Sequence, residues 1–128
     1  MTVEAIFSHS GSMFAYYLGI AEVLQKYDLS DVVFSGTSGG CFPCILLNSK
    51  NNIREFFEDI LNCVKTSKDS WENVIRDFLT EYLSEDDIEA NKGKFTCKLT
   101  KLNDFFLPEK VKVSKWTDKQ DFVDCIVA

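Results

Sequence analysis

The chain contains no Asp-Gly pair, one histidine (His9) and two prolines among its 128 residues. Its five cysteines are odd in number and lack a framework spacing, so they read as reduced thiols rather than a disulfide scaffold. Cys63, Cys97 and Cys125 show no paired spacing and His9 stands alone, so no metal site is expected. Positive charge is also scarce: 14 basic residues against 20 acidic ones leave a formal net charge of −6. Binders of the phosphate backbone carry a basic face, so nucleic acid is not an expected partner. The one acidic cluster, Glu85-Asp86-Asp87-Ile88-Glu89, reads as the solvated start of a helix. The longest apolar stretch, Met13 to Ile20, is broken by Gly19 and falls short of the roughly 20 residues that span a bilayer. No basic segment precedes the first apolar residues, so no signal peptide is expected and the protein reads as cytoplasmic, not secreted. Repeats, low-complexity tracts and linkers are missing as well, which predicts one domain over residues 1–128.

What is present is apolar material: 45% of the residues, with 11 phenylalanines, enough to fill a core. Ala5-Ile6-Phe7 reads as a short buried strand, followed by the small polar loop Ser8-His9-Ser10-Gly11-Ser12. Met13, Phe14, Tyr17, Leu18, Ala21 and Leu24 then recur at helical spacing. After the turn at 28–31, Val32-Val33-Phe34 reads as a second buried strand. Strand, helix, strand in so short a span predicts the start of a parallel sheet. Two amphipathic helices come next, one marked by Ile53, Phe56, Phe57, Ile60, Leu61 and Val64, the other by Trp71, Val74, Ile75, Phe78, Leu79, Tyr82 and Leu83. Ser70, or Asp69 with Glu72, can cap the second. Past Gly93 the period becomes two, with Phe95, Cys97 and Leu99 alternating with Thr96, Lys98 and Thr100. Val111 and Val113 repeat the pattern after the Phe105-Phe106-Leu107-Pro108 corner, as in a hairpin. Thr117 and Gln120 make a capping-box pattern for a last helix carrying Phe122, Val123, Ile126 and Val127.

Gly36-Thr37-Ser38-Gly39-Gly40 fits G-x-S-x-G. A nucleophile on a sharp strand-to-helix turn takes an unfavourable backbone conformation, and its neighbours must be bare to permit it. Such a turn lifts the hydroxyl clear of the sheet and aims a helix amino end at the reacting centre. Ser38 is therefore the candidate nucleophile, with Gly36, Thr37 and Gly40 as its elbow. The alternative is a structural Gly-Ser turn. In α/β-hydrolases the histidine comes after the serine, whereas His9 precedes Ser38, so a His-dependent triad is not available.

These segments resemble the patatin-like phospholipases, in particular the branch that includes adipose triglyceride lipase and adiponutrin. "AIFSHSGSMFAYYLGIAEVL" is similar to the family's oxyanion strand, loop and helix, and "FSGTSGG" to its nucleophile elbow. "KGKFTCKLTKL" and residues 111–128 are similar to the strands and helix that lead to its catalytic aspartate. The resemblance implies an α/β fold, a three-layer α/β/α sandwich with a mainly parallel sheet, its carboxyl-terminal part missing. It implies a Ser-Asp dyad acting on lipid or acyl-ester substrates, with no cofactor, and peripheral contact with a membrane or lipid droplet. His9, Ser10, Gly11 and Gly39 would form the oxyanion hole or its loop, with His9 read first as a surface residue of that loop and otherwise as a residue that alters the hole or itself donates to the anion. Two departures stand out. The family's loop is glycine-rich where this one reads Ser8-His9-Ser10-Gly11, and the family's aspartate sits in an Asp-Gly motif that this chain lacks. The chain is thus expected to hold nucleophile and oxyanion loop without the base, Asp118, Asp121 and Asp124 being helix-surface residues. The apolar side chains of Phe56, Phe57, Trp71 and Phe78 serve an acyl site or, more simply, the core.

Two other functions stay open. A relative that keeps the fold and has lost turnover would be a binding module. Cys41-Phe42-Pro43-Cys44, placed after a strand and opening a helix, has the setting of a dithiol oxidoreductase, although packing of two small side chains against the sheet is the favoured account. Pro43 predicts a kink or a late helix start.

Overall fold

The computed structural model describes residues 2–128. They form four strands, β1 (Val3–Phe7), β2 (Val32–Gly36), β3 (Phe95–Leu102) and β4 (Pro108–Val113). The six helices are α1 (Phe14–Leu24), α2 (Cys41–Ser49), α3 (Ile53–Thr66), α4 (Trp71–Tyr82), α5 (Glu85–Asn91) and α6 (Lys119–Val127). Short 3-10 turns at Gly11–Met13 and Ser38–Gly40 lead into α1 and α2. The sheet order is β1-β2-β3-β4; β1, β2 and β3 are parallel and β4 is antiparallel. The expected α/β architecture with a mainly parallel sheet is therefore what forms.

The layering differs from the three layers that the resemblance implied. The sheet grows in one direction, and right-handed crossovers that all step the same way deliver their helices to the same face. That face carries Phe7, Phe34, Phe95 and Cys97, all buried in the one core. Helix α6 joins it too, since Phe122 packs edge-on against Trp116 at 4.7 Å and against Phe95 at 6.2 Å. The opposite face presents Glu4, Ile6, Val33, Ser35 and Lys98, and among the described residues no helix covers it. Its contacts are lateral: Ser35 Oγ donates to Glu4, and Lys98 reaches the same carboxylate at 3.6 Å. The described residues thus make two layers. Ile6, expected to be buried with Ala5 and Phe7, lies on this uncovered face and is exposed, and β1 is the edge strand of the sheet.

Local chemistry explains most element boundaries. Asn52 caps α3 by accepting from Glu55 N, and Ser70 caps α4 by accepting from Asn73 N. The acidic cluster is indeed a helix start: Ser84 and Asp87 form a reciprocal capping box on α5. At α6 the cap is Asp118, which accepts from Asp121 N at 2.8 Å, rather than the expected Thr117. Pro43 falls in the first turn of α2, where the missing N–H removes little, because the α-helix starts late, after the 3-10 turn. Buried Asn91 ties α5 to α2, accepting from Asn48 and donating to the carbonyls of Asp87 and Ile45.

Phe56, fully buried on α3, joins the helices: it meets Phe42 of α2 and both Phe78 and Tyr82 of α4 at ring separations of 5.9, 5.3 and 5.0 Å. Truncation there leaves a cavity between three helices. Phe56→Ala is expected to lower the unfolding free energy by about 3–5 kcal/mol, measured by urea denaturation.

Candidate active site

In a parallel sheet, ligands bind beyond the carboxyl ends of the strands. Strands β1 and β2 end level with one another, Phe7 opposite Gly36. The two segments that leave these strands meet at this edge. Thr37 N donates to Phe7 O at 3.2 Å, stitching the end of β1 to the turn after β2. Ser8 Oγ lies 2.9 Å from Tyr17 Oη, and Tyr17 packs edge-on against Phe7, which ties the start of the loop to α1.

The turn after β2 is a strained corner. Thr37 is extended (φ −130°, ψ 123°), and Ser38 then enters the left-handed region at φ 52°. That region costs a residue with a Cβ about 1–2 kcal/mol. Three glycines make the corner possible. A Cβ on Gly36 would stand 2.6 Å from Gly40 O, and one on Gly40 would stand 2.3 Å from Phe7 O and 2.5 Å from Ser8 O. On Gly39 it would meet Ser10 Oγ at 2.5 Å and Gly11 O at 3.0 Å. The motif is thus read sterically at each glycine, and the elbow and the loop after β1 are in contact.

Ser38 is half-buried and borders a cleft of about 330 Å³. Gly11 and Gly39 form its polar corner; Phe14, Trp71, Ile75 and Ile126 are among its apolar walls. This volume sits at the small end of the range for ligand pockets. A larger groove of about 760 Å³, bordered by Asp28, Ser30, Asn48, Asn51 and Lys94, lies at the other end of the sheet, where β2 and β3 begin. It lies away from the corner and its strained serine, so the smaller cleft is the candidate site.

The residues expected at the oxyanion loop are only partly brought together. Gly11, held at φ 55°, lines the cleft. Ser10 lies against Gly39 with its hydroxyl buried and unpartnered. His9 is exposed and stands off the cleft wall, so the structure gives it the part of a surface loop residue. Of the aromatic side chains considered for an acyl site, Trp71 alone borders the cleft, whereas Phe56 and Phe78 are in the core and Phe57 packs against it. Sequence reasoning missed Phe14, Ile75, Ile126 and Val127 as cleft residues, because helical spacing marks an inward face without telling core from cleft.

Glu72 is the carboxylate that borders the cleft, and Arg76 engages it at 3.3 Å while also binding Asp124. Among the described residues no carboxylate or imidazole is hydrogen-bonded to Ser38 Oγ. Asp118 and Asp121 are used at the start of α6 and Asp124 by Arg76 and Gln120, as their reading as helix-surface residues expected.

The Cys41–Cys44 pair turns away from the cleft. Both thiols are completely buried; Cys44 donates to Gly40 O, and Cys41 Sγ faces Cys97 Sγ at 3.7 Å rather than Cys44. The Cys97 contact together with burial pushes the Cys41 thiol up, and burial pushes Cys44 up far beyond the ordinary thiol range. A redox dithiol needs an exposed thiolate of lowered pKa, which is the opposite environment.

No protein-family description, no curated protein and no solved structure matches this chain.

This geometry leads to two expected outcomes. Gly40→Ala forces a methyl group onto the carbonyls of Phe7 and Ser8 and is expected to destabilise the fold by about 1–3 kcal/mol, measured by thermal and urea unfolding. Cys41 and Cys44 should react with a thiol reagent at near-background rates in the folded protein and rapidly in denaturant, as measured by mass spectrometry of the labelled peptides.

Proposed function

We propose that the protein is a serine acyl hydrolase of the patatin-like kind, acting on lipid or other acyl esters through Ser38. The observation that carries this reading is the conformation of Ser38 itself. A residue with a Cβ is held at φ 52° between a parallel strand and a helix, among glycines that have no room for a side chain, on the wall of a cleft. Strain of this kind persists where the surroundings enforce it, and it clusters at functional sites.

In the proposed reaction Ser38 Oγ attacks the ester carbonyl, forming the Oγ–C bond as the proton on Oγ passes to a base. The tetrahedral oxyanion is held by backbone N–H groups of the Gly11 loop and of the residue after Ser38, supported by the amino end of α2. Collapse breaks the bond to the leaving alcohol, which takes the proton, and water then releases the acid from Ser38 by the same steps in reverse order. Trp71, Phe14, Ile75 and Ile126 offer the acyl chain an apolar wall. The chemistry needs no metal or organic cofactor. The base of the implied dyad is the part that the described residues do not assemble around Ser38.

That last point favours one second reading, a binding module that retains the elbow and has lost turnover. A fluorophosphonate probe separates the two. Ser38 is expected to be labelled, and Ser38→Ala to abolish labelling and to lower hydrolysis of an activated aryl ester. In triad enzymes a residual rate on the order of 10³-fold over water survives loss of the serine, because it comes from the oxyanion hole and binding, so the hydrolysis that supports the reading is the part that Ser38→Ala removes. A folded protein that the probe ignores would leave only the binding module.

A further inference from the structure

The β3–β4 hairpin ends in side chains that a packed domain does not expose. Phe105 and Phe106 are each 81% accessible, and Leu102 and Leu107 are exposed beside them. The tip that carries them is nevertheless well organised. Asn103 Oδ1 accepts from Phe105 N at 2.9 Å and Leu107 N at 3.0 Å, while Asn103 N donates to Leu107 O. Phe106 takes φ 57°, a conformation in which glycine or asparagine would be cheaper than a bulky ring. The turn therefore spends backbone strain to hold an apolar side chain in the open, and nothing in the core gains from it.

The charge of the hairpin is equally unlike that of the rest of the protein. Within a chain of net charge −6, residues 98–115 hold five lysines against Asp104 and Glu109. Lys101, Lys110, Lys112 and Lys115 are all exposed. An apolar tip on a cationic stem fits a bilayer whose surface is anionic: the rings enter the acyl boundary and the ammonium groups stay at the headgroups.

The direction of the hairpin gives this surface a use. Gly36, the last residue of β2, is level with Cys97 of β3, and β3 runs on to Leu102. At about 3.3 Å per residue the tip lies roughly 17 Å past the level of the elbow, at the same end of the sheet as Ser38. We propose that the β3–β4 hairpin is an anionic-membrane anchor, inserting Phe105, Phe106 and Leu107 and bringing the Ser38 end of the sheet to the lipid surface. The anchor stands on the hairpin alone; its use in delivering an ester to the cleft rests on the reading of Ser38 as a nucleophile.

Vesicle co-sedimentation tests it with the full chain. Binding is expected to phosphatidylcholine vesicles containing phosphatidylserine, weaker binding to pure phosphatidylcholine, and loss of the difference at high salt. Phe105→Ser with Phe106→Ser should lower the partition coefficient at least ~10-fold, and Lys110→Glu with Lys112→Glu should lower it about tenfold on the anionic vesicles only. Phe106→Gly should lower binding while holding or raising the melting temperature, a separation that a folding role for the ring would not produce. Ser38→Ala should bind as the parent does. The proposal is overturned if the parent ignores anionic vesicles, or if the hairpin variants stay folded by circular dichroism and bind unchanged. It is overturned equally if the tip substitutions only convert a dimer to a monomer in size-exclusion chromatography. Vesicle binding with no probe labelling of Ser38 would retain the anchor and remove the enzyme; labelling without vesicle binding would do the reverse.

Discussion

Everything at the Ser38 end of this molecule depends on how closely backbone passes backbone at Gly40. The carbonyl oxygens of Phe7 and Ser8 lie too near for the Cβ of any other residue to fit there. That approach lets the 3-10 turn after Ser38 sit directly on the end of β1, and it fixes where α2 begins. Gly36 makes the reciprocal allowance, since its missing Cβ leaves room for the carbonyl of Gly40 folding back over it. With both allowances made, the chain has one way to leave β2, and Ser38 is forced through the left-handed region. The strain on the serine is thus a consequence of packing two strand ends and a helix into one corner, which is why local propensity does not relax it.

Much of the fold was legible because period and punctuation agreed. The helical spacing over 53–64 and 71–83 matched α3 and α4, and the alternation after Gly93 matched β3. The layering was not legible, because a face of a strand reads as apolar or polar without saying whether a helix lies on it. Val33 and Ile6 are apolar residues on the uncovered face, and no rule of alternation marks them as such. The cap of α6 was missed for a different reason. Thr117, Asp118 and Asp121 all offer capping oxygens within one turn, and only backbone conformation chooses Asp118. At the site, the elbow could be read because its glycines leave a sequence signature. The cleft wall could not, since Phe14, Ile75 and Ile126 come from three helices whose apposition is tertiary.

Ser38 and Cys41 show how sharply that corner sorts neighbouring side chains. They are three residues apart, within one turn of helix, and both lie in motifs associated with catalysis. Past the 3-10 turn the chain leaves Ser38 on the border of the cleft and puts Cys41 in the core against Cys97. The contact with Cys97 together with burial holds the Cys41 thiol up, and burial does the same for Cys44. A motif that matched a redox site in sequence context is therefore spent on packing in the core.

The positive backbone angles in the molecule fall into two kinds. Lys50 ends α2 in the left-handed conformation with its N–H bonded to Leu46 O, and Gly93 turns the chain into β3 with open space around it. Both are ordinary terminators, placed where helices and turns commonly need them. The other three, Gly11, Ser38 and Phe106, stand beyond the carboxyl ends of β1, β2 and β3 in turn. Two of these carry side chains that the fold would do better without, a serine opened to a cleft and a phenylalanine opened to solvent. Sequences that specify one structure agree with local preference nearly everywhere, and their departures concentrate where something besides stability is required. Here the departures share one end of one sheet, the end at which a parallel sheet presents its ligands.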